Sequence, residues 1–330
     1  MSGLTLAMYD AAGCGGCDIS LLEIHEHLLE LIQVAGFVFW PTAMDFKYSD
    51  VEAMADGAID VCFINGAVRS SDNIEAARLL RAKSRVLVAY GSCASFGGVP
   101  GLANLSSTAE MLDCAFGTAS TDATTTRPSP VSVHDDGKPT NLPTFTATVT
   151  SLPDTVTVDY VLPGCPPSAQ RVWEVCQAVA SGALPHAPAV VGAFTKCVCD
   201  ECSLPKQGTR VSRFVRPHQM IAQPGRCLLE QGIVCSGPAT RSGCGAQCTS
   251  ALMPCRGCYG PAGDCIDQGA AMVAALGTVI DSDDSAVIAE AMAGVVDPAG
   301  TFYCYTLPSS ILGAARAATT SGTVAEEVAP

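Results

Sequence analysis

Eight cysteines crowd into the stretch from Cys199 to Cys258, in the order Cys199, Cys202, Cys227, Cys235, Cys244, Cys248, Cys255 and Cys258. Four more lie far upstream, next to predicted strand ends and helix starts: Cys14 and Cys17 in AGCGGCD, Cys93 in YGSCASFGG and Cys165 in LPGCPPS. The downstream eight fit two four-cysteine sites, and the upstream four suggest a third. Cys14/Cys17, Cys199/Cys202 and Cys255/Cys258 are C-x-x-C pairs, in which two intervening residues turn the chain back so that both thiolates face one metal or cluster. Iron-sulfur cubanes need four soft ligands in a shell of amide hydrogen bonds, and glycine-rich surroundings supply close, unhindered amides. Zinc is the weaker alternative. Its usual pattern brings two pairs within about 15–20 residues or adds histidines, whereas here four cysteines and only His218 lie between the two downstream pairs. The compact ferredoxin run is absent. Twelve candidate ligands with little other catalytic equipment point to a chain that moves electrons.

Leu4 to Tyr9 reads as a short buried strand, followed by a Gly-rich turn and a helix from about Ile19, with Leu21, Ile24, Leu28, Leu31 and Ile32 at helical spacing. Phe37 to Trp40, Val61 to Asn65, Val86 to Tyr90 and Val156 to Leu162 are further strand candidates, separated by helical candidates such as Ile74 to Arg81 and Ser168 to Ala180. This alternation predicts an α/β fold with a doubly wound parallel sheet, and Pro166 and Pro167 sharpen the start of the helix after Cys165. Three of the four upstream cysteine positions then sit just beyond the carboxyl ends of strands one, four and five, where such sheets collect ligands. Gly117 to Pro143 reads as an exposed excursion, with a hairpin around Asp135-Asp136-Gly137. From Cys197 to Pro261 periodicity fades and cysteine, glycine and proline abound, so metal rather than a core is expected to hold this part. Helical signals return from about Ile266 to Ala293, and the Ser, Thr and Ala rich tail is expected to fray.

The chain has 330 residues, 48% of them hydrophobic, enough for one good core and a second, smaller domain. Charged residues make up only 15% of it and the mean hydropathy is +0.30, which predicts large buried surfaces or an obligate complex. A net charge of −14 repels phosphate backbones and anionic headgroups, excluding nucleic acid as a partner. The beginning carries no export signal, so a cytoplasmic location is expected. The longest apolar stretches, Ala270 to Ile280 and Ala286 to Val296, fall short of the span of about 20 residues, so no membrane helix is predicted. In a reducing cytosol 18 cysteines are better explained by metal than by disulfides, a secreted, cross-linked chain being the alternative.

The set AGCGGCDISLL, GSCASFGGVPGLAN, LPGCPPS, CDEC, CLLEQGIVCSGPATRSGCGAQC and MPCRGCYGP closely resembles the small subunit of nickel-iron hydrogenases. The nearest branch is the cytoplasmic methyl-viologen-reducing type that works with heterodisulfide reductase in methanogens and some anaerobic bacteria. The resemblance runs from about Leu4 to Pro261, six separated motifs in the family's order. It implies a flavodoxin-like domain (residues 1–190) with a proximal 4Fe-4S cluster, and a loop-rich second domain (residues 191–330) with medial and distal 4Fe-4S clusters and C-terminal helices. Matched to the family's motifs, Cys14, Cys17, Cys93 and Cys165 are the proximal ligands, Cys244, Cys248, Cys255 and Cys258 the medial ones, and Cys199, Cys202, Cys227 and Cys235 the distal ones. The resemblance further implies an oxidoreductase whose nickel-iron site sits on a large-subunit partner. Electrons would leave through an iron-sulfur subunit to a flavin-containing heterodisulfide reductase. Two departures from periplasmic relatives stand out. Cys199 replaces a distal histidine, and Cys248 adds a fourth medial thiolate; both favour all-cysteine cubanes of lower potential. The rival resemblance is to the quinone-side relay subunit of respiratory complex I, which shares the first domain but has adjacent cysteines and no second cluster domain. A zinc-stabilised scaffold is a third reading.

Six cysteines are left over: Cys62, Cys114, Cys176, Cys197, Cys265 and Cys304. Most are expected to be apolar fillers, with Cys197 the alternative to Cys199 as a ligand and Cys265 the alternative to Cys248. His25, His27, His134, His186 and His218 lack partners at ligand spacing and are read as surface or structural. Asp18 and Glu23, beside the first cysteine pair, are read as capping or solvated groups rather than proton carriers.

Overall fold

The computed structural model describes residues 3–118, 131–133 and 139–315. Its first half runs β1 (Leu4–Asp10), α1 (Gly16–Leu22), α2 (His27–Val34), β2 (Ala35–Phe39), α3 (Tyr48–Glu52), β3 (Ile59–Asn65), β4 (Val68–Ser70), α4 (Ser71–Lys83), β5 (Ser84–Tyr90), α5 (Gly91–Phe96) and α6 (Thr108–Gly117). There follow β6 (Val131–Val133), β7 (Pro139–Asn141), β8 (Phe145–Thr150), β9 (Tyr160–Leu162), α7 (Ala169–Ser181), β10 (Ala189–Val190), α8 (Gln247–Ser250), α9 (Gln268–Gly277), α10 (Ser285–Met292) and α11 (Pro298–Phe302).

Six strands form one parallel sheet in the order β10-β9-β5-β3-β1-β2. The middles of its central strands, such as Val61 to Ile64 and Val86 to Ala89, are apolar because both faces are covered. Leu6, Met8, Val61, Phe63, Val88 and Tyr90 point to one face, against Leu31 of α2 and Val172 and Val175 of α7. Ala7, Cys62, Ile64, Leu87 and Ala89 point to the other, against Val51 of α3 and Ala76, Ala77 and Leu80 of α4. Side chains alternate across a strand, so this sorting is the doubly wound arrangement expected from the sequence. α4 is entered by a reciprocal cap: the Asn73 backbone N–H donates to Ser70 Oγ at 3.3 Å, and Asn73 Oδ1 accepts from the Ser70 backbone N–H at 3.2 Å.

Several local readings need adjustment. The single helix expected from Ile19 is two, broken by Glu23 to Glu26 with His25 at φ 56°; acidic side chains at the end of α1 oppose its dipole. Only Tyr160 to Leu162 of the fifth strand candidate pairs. The excursion contains β6 paired antiparallel with β7, while the expected turn at Asp135-Asp136-Gly137 and the tail from residue 316 lie outside the described residues. The downstream part is not held by metal alone. Val198, Val211, Phe214, Leu228 and Ile233 bury together with Met272, Leu276, Ile280, Ala291 and Phe302. The loops that looked coreless borrow their apolar partners from α9, α10 and α11, far along the chain. α9 and α10 split the expected helical region at Asp281-Ser282-Asp283-Asp284, where the Asp284 carboxylate caps the new helix by accepting from the Ala286 N–H at 2.7 Å.

The two halves meet along the carboxyl edge of the sheet. Arg171 of α7 donates through Nε to the Gly243 carbonyl at 2.7 Å and lies over the Phe194 ring at 4.6 Å. Ser92 donates to the Cys258 carbonyl, and the Gly98 N–H donates to the Tyr305 carbonyl at 3.1 Å.

Candidate iron-sulfur sites

The upstream cysteines converge because their strands are neighbours. Cys14 and Cys17 follow β1, Cys93 opens α5 after β5, and Cys165 follows β9; the Ser92 N–H ties the last two loops by donating to the Gly164 carbonyl at 2.8 Å. Burial first, then the charges of Cys93, Cys165 and Cys14, hold the Cys17 thiol far above its ordinary pKa. Burial and Cys165 push Cys93 up to about 12. These mutual influences make the four a single cluster of side chains. Two glycines line it for want of room. A Cβ on Gly91 (φ +83°) would stand 2.4 Å from Cys17 Sγ, and one on Gly98 (φ +56°) 2.4 Å from Cys93 Sγ.

The eight downstream cysteines sort into two cavities. One, of about 200 Å³, is lined by Cys199, Cys202, Cys227 and Cys235 with Leu204, Lys206 and Glu230. The other, of about 550 Å³, is lined by Cys244, Cys248, Cys255 and Cys258 together with Cys165 from the upstream set. Backbone amides reach the sulfurs. The Cys255 N–H donates to Cys235 Sγ at 3.3 Å, the Gly237 N–H faces the same sulfur, and the Cys165 N–H faces Cys258. Burial, followed by the charge of Cys244, pushes Cys258 up to about 12. Burial likewise takes Cys199 to about 12, although Lys206 opposes the rise.

All eighteen cysteines are free thiols, and the disulfide alternative has no pair to rest on. Among the described residues no three His, Cys, Asp or Glu side chains close on a point as they would around a single ion; the two downstream quartets line cavities instead. Buried thiols that raise one another's pKa cannot become thiolates together unless a strong positive charge sits among them. Four soft donors, amide N–H groups aimed at sulfur and glycines with no space for a Cβ suit an iron-sulfur cubane.

The six spare cysteines line neither of the two cavities. Cys62 and Cys176 are buried among apolar side chains. Cys197 Sγ is turned to Asp200 Oδ2 at 3.0 Å and is not among the residues lining the smaller cavity, which holds Cys199. Cys265 donates to the Asp267 carbonyl at 3.2 Å, while Cys248 lines the larger cavity. Cys114 is exposed on α6, unlike the filler expected. His27 stacks on Trp173 at 4.5 Å and contacts Glu30 at 2.9 Å, a structural part as read. Asp18 differs from expectation: it is buried, accepting from Trp40 Nε1 at 2.7 Å and Asn65 Nδ2 at 3.3 Å. Neither partner adjoins it in sequence, so no local pattern announced the arrangement. The same holds for Glu201, inside CDEC, whose carboxylate accepts from the Gly243 N–H at 2.9 Å and the Gly245 N–H at 3.1 Å, on either side of Cys244.

Comparison with known proteins decides the family. The iron-sulfur subunit of the F420-non-reducing hydrogenase of Archaeoglobus profundus is 37% identical over 289 residues, covering 85% of this chain and 89% of the relative. The chain belongs to this family of hydrogenase subunits. The vhu-type F420-non-reducing hydrogenase subunit of Methanocaldococcus jannaschii is 37% identical over 80% of this chain and 84% of its own length. The corresponding F420-non-reducing hydrogenase subunit of Methanothermobacter marburgensis is 34% identical over 91% and 93%. The profile of the NADH ubiquinone oxidoreductase 20 Kd subunit family matches residues 14–179 and stops short of the eight downstream cysteines. A chain of the Dm. baculatum NiFeSe hydrogenase shares the fold, with a TM-score of 0.52 at 19% identity over 79% of this chain and 95% of that one. The nickel-iron hydrogenase small-subunit recognition and the α/β fold read from the motifs are both upheld. No helix among the described residues of this hydrogenase subunit is long and apolar enough to cross a membrane.

Proposed function

We propose that this hydrogenase subunit conducts electrons from dihydrogen oxidation, holding three 4Fe-4S clusters that supply one-electron redox sites when bound. Cys14, Cys17, Cys93 and Cys165 are the proximal set, Cys244, Cys248, Cys255 and Cys258 the medial set, and Cys199, Cys202, Cys227 and Cys235 the distal set. One observation carries the reading: the three sets touch in series. Cys165 lines the medial cavity with its N–H facing Cys258, and the medial Cys255 donates its N–H to the distal Cys235 sulfur at 3.3 Å. Such short polar bridges support an ordered route from the proximal to the distal set.

The nickel-iron centre, in this reading, lies on a large-subunit partner facing the proximal set, and the acceptor beyond the distal set is an iron-sulfur subunit leading to a flavin-containing heterodisulfide reductase. The family resemblance supports those partners, and eighteen free thiols suit a reducing cytoplasm. Separate apolar cores, one pair around the sheet and one around α9, support a division into residues 1–190 and 191–330.

The test is electron paramagnetic resonance on the anaerobically purified complex, before and after dihydrogen alone, with iron and sulfide analysis. About twelve irons on this chain, beyond those its partners carry, and new reduced-cubane signals under the gas are expected. Intact signals that respond to dithionite but not to dihydrogen would move the chain to the non-hydrogenase relay class. In an assembled complex, Cys14→Ala should abolish dihydrogen-driven dye reduction while nickel is retained by the partner.

A further inference from the structure

Lys206 is held on both sides at the mouth of the smaller cavity. The residue before it is tied down by a distal-set cysteine, whose Cys227 N–H donates to the Pro205 carbonyl at 3.0 Å. The two residues after it are tied down by Glu230, whose buried carboxylate accepts from the Gln207 N–H at 2.7 Å and the Gly208 N–H at 2.9 Å. Its side chain lines the cavity beside Cys199, Cys202, Cys227 and Cys235, the one Lys, Arg or His among the described residues to do so. The stretch from Ser203 to Leu229 contains no Asp or Glu to compete for the ammonium. The Lys206 ammonium faces the Cys199 side chain, with Cys227 and Cys197 also near. Asp200, at the rim, and Glu230, whose carboxylate is occupied by the two amides, are the other anions near it.

A side chain on a loop is normally free to wander into solvent. Clamping the backbone at Pro205, Gln207 and Gly208 keeps the root of this side chain beside the distal cysteines. We infer that Lys206 is a positioning residue of the electron pathway, a fixed cation that favours the reduced state of the group held by Cys199, Cys202, Cys227 and Cys235 and so sets the exit end as the electron sink of the series. This rests on the cluster assignment proposed above. A 4Fe-4S site with four thiolates gains one negative charge on reduction, and a nearby positive charge lowers the free energy of that form. Lys206 is largely exposed, so solvent screening keeps the effect modest.

The experiment is a redox titration of the whole hydrogenase complex followed by electron paramagnetic resonance, comparing the native chain with Lys206→Gln and Lys206→Arg. Lys206→Gln should lower the reduced-to-oxidised ratio of the distal signal about threefold at a fixed ambient potential, a shift of about 28 mV for one electron. Proximal and medial signals should stay put, and Lys206→Arg should keep the native distal value. A second measurement compares the two proteins across ionic strength: raising the salt concentration should narrow the gap between the native and Lys206→Gln distal potentials, because only the native protein has this ammonium to screen. A distal signal in Lys206→Gln that titrates at the native potential, or a gap indifferent to salt, would overturn the inference. Absence of any distal signal from the native complex would overturn the cluster assignment and the inference with it.

Discussion

Two carboxylates beside the first cysteine pair lie in unlike surroundings. Asp18 is satisfied by Trp40 and Asn65, whereas Asp10 Oδ1, at the end of β1, is buried without a partner. Burial, with the charge of Asp18 adding to it, pushes Asp10 up from 3.8 to about 6. The folded chain therefore holds this proton more tightly than the unfolded one. Stability is undiminished below about pH 4, is lost as pH rises towards 6, and above that carries the full loss. Asp10→Asn should remove the loss. Because Asp10 is half-exposed, the gain at about pH 8 should be ~1 kcal/mol rather than the whole shift, falling to roughly half at about pH 5. Thermal unfolding of the two proteins at both pH values measures it, and an equal gain at both would mean that the orphaned oxygen, not the charge, is the source.

At the scale of elements, chemistry is concentrated where strands end and the chain must turn sharply. The β5-α5 turn is one such case, since Gly91 at φ +83° leaves Cys17 Sγ where a Cβ would need to be. Gly91→Ala combines a strained backbone with a collision at a ligand. On the proposed assignment of three cubanes, it should cost the chain about four of twelve irons, with the downstream eight retained, because a cubane without one thiolate is the unit lost. An iron assay that still returned twelve would mean that Cys17 is not at the proximal site. Elements of this kind were legible in the sequence. The spacing of Cys14 and Cys17, strand-like Val86 to Tyr90 before Cys93 and the apolar run before Cys165 all reflect local preferences, and a parallel sheet brings their ends together whatever else occurs. The break between α1 and α2 was not legible, because Leu21, Ile24, Leu28 and Leu31 keep helical spacing through it. Nor was the second core, whose two sides, such as Phe214 and Ala291, lie too far apart in sequence for periodicity to join them. The clamp on Lys206 was hidden for the same reason: Glu230 and Gln207 meet only after the loop closes.

At the scale of the molecule, the two halves are stabilised in different ways. The first is a six-stranded sheet with a core on each face. Between Cys197 and Cys258 the backbone has 3-10 turns, isolated bridges and one short helix, packed on one side against α9, α10 and α11. Seven of the eight cysteines lining its cavities are buried or half-buried, Cys248 being exposed, so loss of the proposed clusters would leave cavities of about 200 and 550 Å³ with no charge to hold their walls together. Removal of iron by chelation under reductant should therefore loosen the molecule unevenly. Amides between Cys197 and Cys258 should exchange hydrogen at least about tenfold faster, the effect of ~1.4 kcal/mol of lost local stability, while those of β1, β3 and β5 keep their protection. The Arg171 bond to the Gly243 carbonyl marks the border, and exchange at Gly243 and Cys244 should rise before that of α7. Uniform acceleration through both halves would show instead that the sheet depends on the downstream clusters, and that the chain folds as one unit rather than two.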